Sequence, residues 1–151
     1  MATKAAEISV KRFENLKAVV ISASWHPEIC QSLTDGAVRG FKSAGINNVE
    51  VRKVAGSFEL PLAAQLALDE GFDIAAVVGV VIRGETAHFD YVCQGVTDGV
   101  MQVSLSRSKP IGFGVLMCES VEQAKARAGF ADSFEDKGFD SAVAALSILN
   151  K

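Results

Sequence analysis

Between Gly79 and Tyr91 the chain reads GVVIRGETAHFDY, and an apolar run gives way abruptly to Arg83, Gly84, Glu85, Thr86 and His88. These residue types suit two chemistries. Glu85 and Thr86 fall where a helix begins and its first backbone N–H groups lack partners, an arrangement that attracts phosphate. Thr86 equally suits the plain task of capping that helix. The imidazole of His88 can act as a general acid or base, or stand as a solvated histidine at a helix start. On these residues alone both alternatives stay open.

Two further stretches carry residues that an ordinary surface loop disfavours. Ser24-Trp25-His26 holds the single Trp and one of the two His, and Gly56-Ser57-Phe58-Glu59 pairs an aromatic ring with a carboxylate. Aromatic rings at two loop tips suit a flat ligand held by stacking. Phosphate-loop, dinucleotide, zinc-protease and serine-hydrolase motifs are absent. Ser22-Ala-Ser24 could cradle a flavin phosphate as in flavodoxins, although such a loop is usually richer in Gly and Thr. Cys30, Cys93 and Cys118 lie far apart, with no Cys-x-x-Cys or Cys/His grouping. Neither a metal site nor a disulfide framework is expected, and each thiol reads as a small buried hydrophobe.

The elements that position these stretches alternate regularly. Leu16 to Ala23 predicts a strand, and Pro27 opens a helix with Ile29, Leu33, Ala37 and Phe41 on one face, stopped by Gly45. Val49, Val51 and Lys53 alternate as a second, less buried strand. Pro61 opens a helix carrying Leu62, Leu66 and Ala67 that ends near Gly71. Ile74 to Ile82 is apolar on both faces, as a central parallel strand must be. A long helix from about His88 carries Phe89, Val92, Cys93, Val96, Val100 and Val103, and Pro110 to Met117 reads as the fourth strand. Ser120-Val-Glu-Gln123 is a capping-box pattern for a helix ending near Gly129, and Asp140 to Leu149 makes a last one. The prediction is an α/β fold, a single doubly wound, flavodoxin-like three-layer domain with a four-stranded parallel sheet, spanning 16–151 after an arm at 1–15. Such sheets bind ligands outside the carboxyl ends of their strands, where the unusual residues gather.

Composition narrows the partners. The chain has 151 residues, 49% apolar and 22% charged, enough for one well-packed domain. A net charge of −3 gives no electrostatic basis for nucleic acid, which leaves small molecules and protein partners. The longest apolar run is half of a membrane span and the first residues lack a signal-peptide pattern, so no membrane role and a cytoplasmic location are expected.

Three motifs in order, AGSFELPLAAQ, VVIRGETAHFDYVCQGVTDGVMQVSL and EQAKARAG, resemble those of the lumazine synthase family, with similarity running from about Leu16 to Asn150. The resemblance implies condensation of 5-amino-6-ribitylaminouracil with 3,4-dihydroxy-2-butanone 4-phosphate, the penultimate step of riboflavin synthesis, without cofactor or metal. It implies Trp25 as the pyrimidine stacking ring, with no certain role for His26. Ser57, Phe58 and Glu59 hold the pyrimidine and its ribityl chain, and Val81 and Ile82 offer backbone groups to the ring. Glu85, Thr86 and Arg127 bind phosphate, and His88 transfers protons. Phe113 and Lys137 come from the adjoining subunit of a homopentamer. A flavin- or lumazine-binding protein lacking catalysis would need neither His88 nor Arg127, and a purely structural shell would need none of the polar cluster.

Family members that close into sixty-subunit shells have a tight, basic, Gly-rich turn after the Arg-Ala-Gly motif. RAGFADSFEDKG is two residues longer, and Asp132, Glu135 and Asp136 predict a repelling acidic loop and hence a free pentamer.

Overall fold

The computed structural model describes residues 6–150. Four strands, β1 (Ala18–Ser22), β2 (Val49–Lys53), β3 (Ile74–Ile82) and β4 (Ile111–Cys118), form one all-parallel sheet in the order β2-β1-β3-β4. The helices are α1 (Pro27–Ser43), α2 (Leu60–Asp69), α3 (His88–Arg107), α4 (Val121–Lys125) and α5 (Lys137–Ser147), with a short 3-10 turn at Ser57–Glu59. Strand alternation divides the sheet into two faces, each with its own core. Ala18, Val20, Ala76 and Val78 pack under α1 and α5, whereas Val19, Ile21, Ala75 and Val77 pack under α2 and α3. This is the expected flavodoxin-like three-layer α/β domain.

The described part of the arm, 6–15, contains no helix or strand and lies against the domain. Val10 and Phe13 pack on the α1/α5 core, the Phe13 amide donates to the Ala44 carbonyl at 2.8 Å, and Asn150 bonds to the backbone at Ser9 and Lys11. No helix among the described residues is long and apolar enough to cross a membrane.

Three features go beyond or against the sequence reading. First, α2 carries Leu62, Leu66 and Ala67 as expected, but Leu62 and Leu66 are 60% and 52% exposed, and the helix buries Leu60, Ala64, Ala67 and Leu68. The sequence LPLAAQLALD is apolar nearly all round, so periodicity could not select the inner face. Second, α4 ends at Lys125 rather than near Gly129, because the chain turns into a short ladder with the segment before α5. Glu135 N donates to Ala126 O, Gly129 N to Glu135 O, and Lys137 N to Arg127 O.

Third, the loop before α5 is not a row of free carboxylates. Asp136 pairs with Arg39 at 2.8 Å and caps α5 by accepting from the Phe139 amide, and Glu135 is buried beside Lys137. Repulsion from three acidic side chains is therefore not available; the extra loop length remains. Gly138 permits this close seat for α5, since a Cβ there would collide with the Leu33 backbone of α1.

Candidate functional site

Strand lengths create the first cavity. Pairing of β1 with β3 ends at Ser22 and Val78, but β3 continues to Ile82, so Val80 to Ile82 overhang β1. Backbone groups on that side of the overhang have no strand to pair with and face a cavity of about 680 Å³. Its walls are Trp25 and His26 after β1, Gly56 to Glu59 after β2, Val80 to Ile82, and His88, Tyr91 and Val92 at the start of α3. The carboxyl ends of three strands thus converge, and Trp25, Ser57, Phe58, Glu59, Val81, Ile82 and His88 come together as the sequence suggested.

Local chemistry fixes several of these groups. His26 holds a left-handed backbone (φ 53°, ψ 66°), and its carbonyl accepts from the Ile29 and Cys30 amides, both at 3.0 Å. The chain thereby turns sharply from Trp25 into α1. Trp25 is 70% exposed, with its indole over Gly56, where an added Cβ would lie 3.4 Å from the ring. Glu59 Oε1 accepts from the Gly56 amide at 2.9 Å, which orients the carboxylate and leaves Oε2 for a ligand. Ser57 Oγ is buried and has no hydrogen-bond partner.

At the end of β3, Arg83 Nε donates to both Glu119 carboxylate oxygens at 2.7 and 3.1 Å and Nη1 reaches Asp90 at 3.3 Å, while the guanidinium lies 4.3 Å from the Phe89 ring centre. The hydrogen bonds to Glu119 raise the Arg83 pKa above its ordinary value. This clamp pins the 83–90 segment to the end of β4. Within the segment, Thr86 Oγ1 accepts only a long 3.3 Å bond from the His88 amide. The amides of Glu85, Thr86 and Ala87 find no acceptor among the described residues, so the N-terminus of α3 is open to an anion.

The remaining predicted residues lie elsewhere. Phe113, Arg127 and Lys137 line a second cavity of about 300 Å³ along the outer edge of β4, with Cys118 and Gln123. It shares no lining residue with the first. The ladder between 126–129 and 135–137 brings Arg127 and Lys137 onto the same wall, and Arg127 Nη1 donates to the Gln123 carbonyl at 2.8 Å. Arg127 therefore sits with Phe113 and Lys137, and not in the cavity of Glu59 and His88.

Gly56, Val80, Tyr91 and Val92 line the first cavity without having been assigned a binding or catalytic role from the sequence. Tyr91 follows His88 by three residues on a helix, so it shares that face, and helical spacing alone would have found it. Burial raises the pKa of Cys30, Cys93 and Cys118, so no thiol here is an activated nucleophile. Among the described residues no group of three or more His, Cys, Asp or Glu could hold a metal ion.

A family model described as 6,7-dimethyl-8-ribityllumazine synthase matches residues 15–151. The chain is similar to a protein of that name from Streptomyces coelicolor, 47% identical over 143 residues, covering 95% of this chain and 89% of the relative. A Streptomyces avermitilis protein of the same name is similar to the same extent. One from Pseudarthrobacter chlorophenolicus is 49% identical over 132 residues, 87% of this chain and 81% of the relative.

Proposed function

The chain belongs to the 6,7-dimethyl-8-ribityllumazine synthase family and has that transferase activity in riboflavin biosynthesis, and we propose that each active site joins the Trp25 cavity of one chain to the Arg127 cavity of a neighbour. The observation that carries this reading is the separation of the two residue sets. One chain has a stacking and proton-transfer surface in one place and an Arg-Lys pair in another, with no shared wall.

In this reading 5-amino-6-ribitylaminouracil stacks on Trp25, with its ring edge on the backbone overhang of Val81 and Ile82. Glu59 Oε2 accepts from ribityl hydroxyls, and Ser57 and Phe58 close the side of the pocket. The phosphate of 3,4-dihydroxy-2-butanone 4-phosphate rests on the amides of Glu85 and Thr86 and is gripped by Arg127 of the neighbour, whose guanidinium can hold two oxygens at once. Phe113 and Lys137 of the neighbour cover the pyrimidine.

The substrate amine attacks the ketone, and water leaves to give an imine. Phosphate is then eliminated, and the second nitrogen closes the ring with loss of another water. His88 carries protons between these steps. No residue of the chain need bond to substrate, so most of the acceleration comes from holding the two reactants together, which can supply about 7–11 kcal/mol.

A head-to-tail interface of this type closes into a ring when the rotation permits, and we read the assembly as a free homopentamer. Exposed Leu62 and Leu66 of α2 and Met101 and Leu105 of α3 support burial against a neighbour. The longer 129–137 loop works against closer packing of rings into a shell.

The test is complementation. His88→Ala and Arg127→Ala rings, each impaired, are dissociated, mixed and reassembled, and lumazine formation is followed by fluorescence. Hybrid interfaces with both wild-type halves regain activity that neither parent shows; a mixture no more active than its parents refutes the shared site. Sedimentation reports the mass, near five chains for a free ring.

A further inference from the structure

Among the described residues Glu135 is the one charged residue that is buried, 8% exposed. Its Oε2 has no hydrogen-bond partner, and the Lys137 ammonium lies 3.0 Å away outside hydrogen-bonding angles. The contact is thus an ion pair without a locked orientation. Burying a carboxylate is costly, and a buried ion pair is weak evidence for stability, so the fold gains little by keeping it. Its placement is more telling. The backbone bonds of Glu135 to Ala126 and Gly129, and of Lys137 to Arg127, hold three charged groups on one short ladder. Lys137 and Arg127 open into the Phe113 cavity, whereas Glu135 approaches from an adjacent cavity lined by Phe130, Ser133 and Phe134.

Two cations on one wall would both be drawn to the same phosphate unless one were restrained. We propose that Glu135 is a positioning residue for the reaction: it tethers the Lys137 ammonium and offsets its charge, so that Arg127 alone grips the phosphate and Lys137 stays available to the pyrimidine. This rests on the reading that Arg127 binds phosphate. Because the tether is an ion pair without aligned hydrogen bonds, the ammonium can tilt toward a ligand without breaking a strong directional contact. Gly138 holds α5 against α1 immediately after Lys137, so the reach of the lysine is set by its side chain and its partner rather than by backbone movement.

Inhibition of the assembled enzyme by inorganic phosphate, competitive with the butanone phosphate, reads this directly. Glu135→Gln keeps the shape and removes the charge. Phosphate inhibition should tighten by about 3–10-fold, between the worth of an exposed ion pair and that of a charge-assisted hydrogen bond. The Tm should not fall, since the Lys137 side chain left without its partner is 38% exposed and its charge stays hydrated. Adding Lys137→Gln to Glu135→Gln should abolish the tightening. Unchanged or weaker inhibition in Glu135→Gln overturns the proposal, as does tightening that survives in the double variant. If Glu135→Gln does not assemble, Glu135→Asp, which draws the carboxylate back by one methylene, decides in the same way: tighter phosphate inhibition supports the tether and unchanged inhibition overturns it. Arg127→Ala separates the two levels of inference. Loss of phosphate inhibition there upholds the underlying site, whereas retained inhibition removes the phosphate reading and the tether with it.

Discussion

Gly79→Ala tests how the sheet positions the site. A Cβ at this position of β3 would lie 2.5 Å from Ser57 Oγ, 3.2 Å from Ala23 Cβ and 3.4 Å from Leu60 Cδ1. The last two contacts yield with small shifts. The first is too close for that, and Ser57 Oγ must move by about 0.9 Å to reach ordinary van der Waals separation, by retreat of the residue if its side chain does not turn to another rotamer. Overpacking of this type costs about 1–3 kcal/mol, or roughly 2–12 °C in Tm for a domain of this size. Ser57 begins the 3-10 turn that carries Phe58 and Glu59, so its retreat moves two side chains that line the first cavity. A misplacement of about 1 Å can cost on the order of 10²-fold in rate, and kcat/KM should fall roughly 10–100-fold. Thermal melts and steady-state kinetics on the pyrimidine substrate measure both effects. The rescue is Ser57→Ala: its hydroxyl has no partner to lose, so the double variant should recover most of the lost Tm. If Gly79→Ala alone leaves Tm and KM unchanged, Ser57 has simply turned to another rotamer, and the steric argument is wrong. Failure of Ser57→Ala to restore stability would place the clash elsewhere.

Two other substitutions separate the roles within the first cavity. Trp25→Ala should change stability by no more than about 0.5 kcal/mol because the ring is 70% exposed. It should weaken pyrimidine binding by at least the roughly 0.5–1.5 kcal/mol of an aromatic pair. In the wild type, titration with the pyrimidine should change the emission of this single Trp, and an unchanged spectrum would remove it as the stacking ring. His88→Ala should lower kcat toward the lower end of the roughly 10²–10⁴-fold range for general acid-base catalysis, with folding and pyrimidine KM retained. A pH-rate profile superimposable on the wild type would leave His88 with only a helix-start role.

What the sequence disclosed depended on whether a residue's surroundings were local. Pro27, the two-sided apolar run Ile74 to Ile82 and the Ser120 cap signal their elements within a few residues, and the alternation of strands with helices signals a parallel sheet. Ser120 does accept from the Gln123 amide, although Gln123 reaches back to the Glu119 amide rather than to Ser120. The clustering of Trp25, Glu59 and His88 was legible because every strand of a parallel sheet ends at the same edge. The inner face of α2 was not, since Leu62 and Leu66 are as apolar as Leu60 and Leu68. The buried state of Glu135 was not either. Its partner Lys137 is close in sequence, but its burial depends on how the loop folds back along 126–129. Charge counted along a chain reports composition, and only the fold decides which carboxylates reach solvent.

The exposed apolar residues of the chain argue together for a surface completed by another copy. Trp25, Phe58 and Tyr91 stand at the mouth of the first cavity, where a flat ligand covers part of each ring and leaves the outer edges bare. Leu62, Leu66, Met101 and Leu105 lie on the outer faces of α2 and α3, away from any ligand the cavity could hold. Phe113 stands on the free edge of β4, beside the cations of the second cavity. A monomer would leave all three sets in water, and a symmetric back-to-back pair would bury one patch against itself. The proposed head-to-tail ring would instead bring the β4 edge of one chain to the Trp25 cavity of the next, with the helical faces packed around the same contact. In that proposed ring the Arg83–Glu119 clamp would acquire a second consequence, because it joins the loop carrying His88 to the end of the strand whose outer edge would face the next chain. In the proposed ring each chain would hold one half of two sites, joined through this clamp.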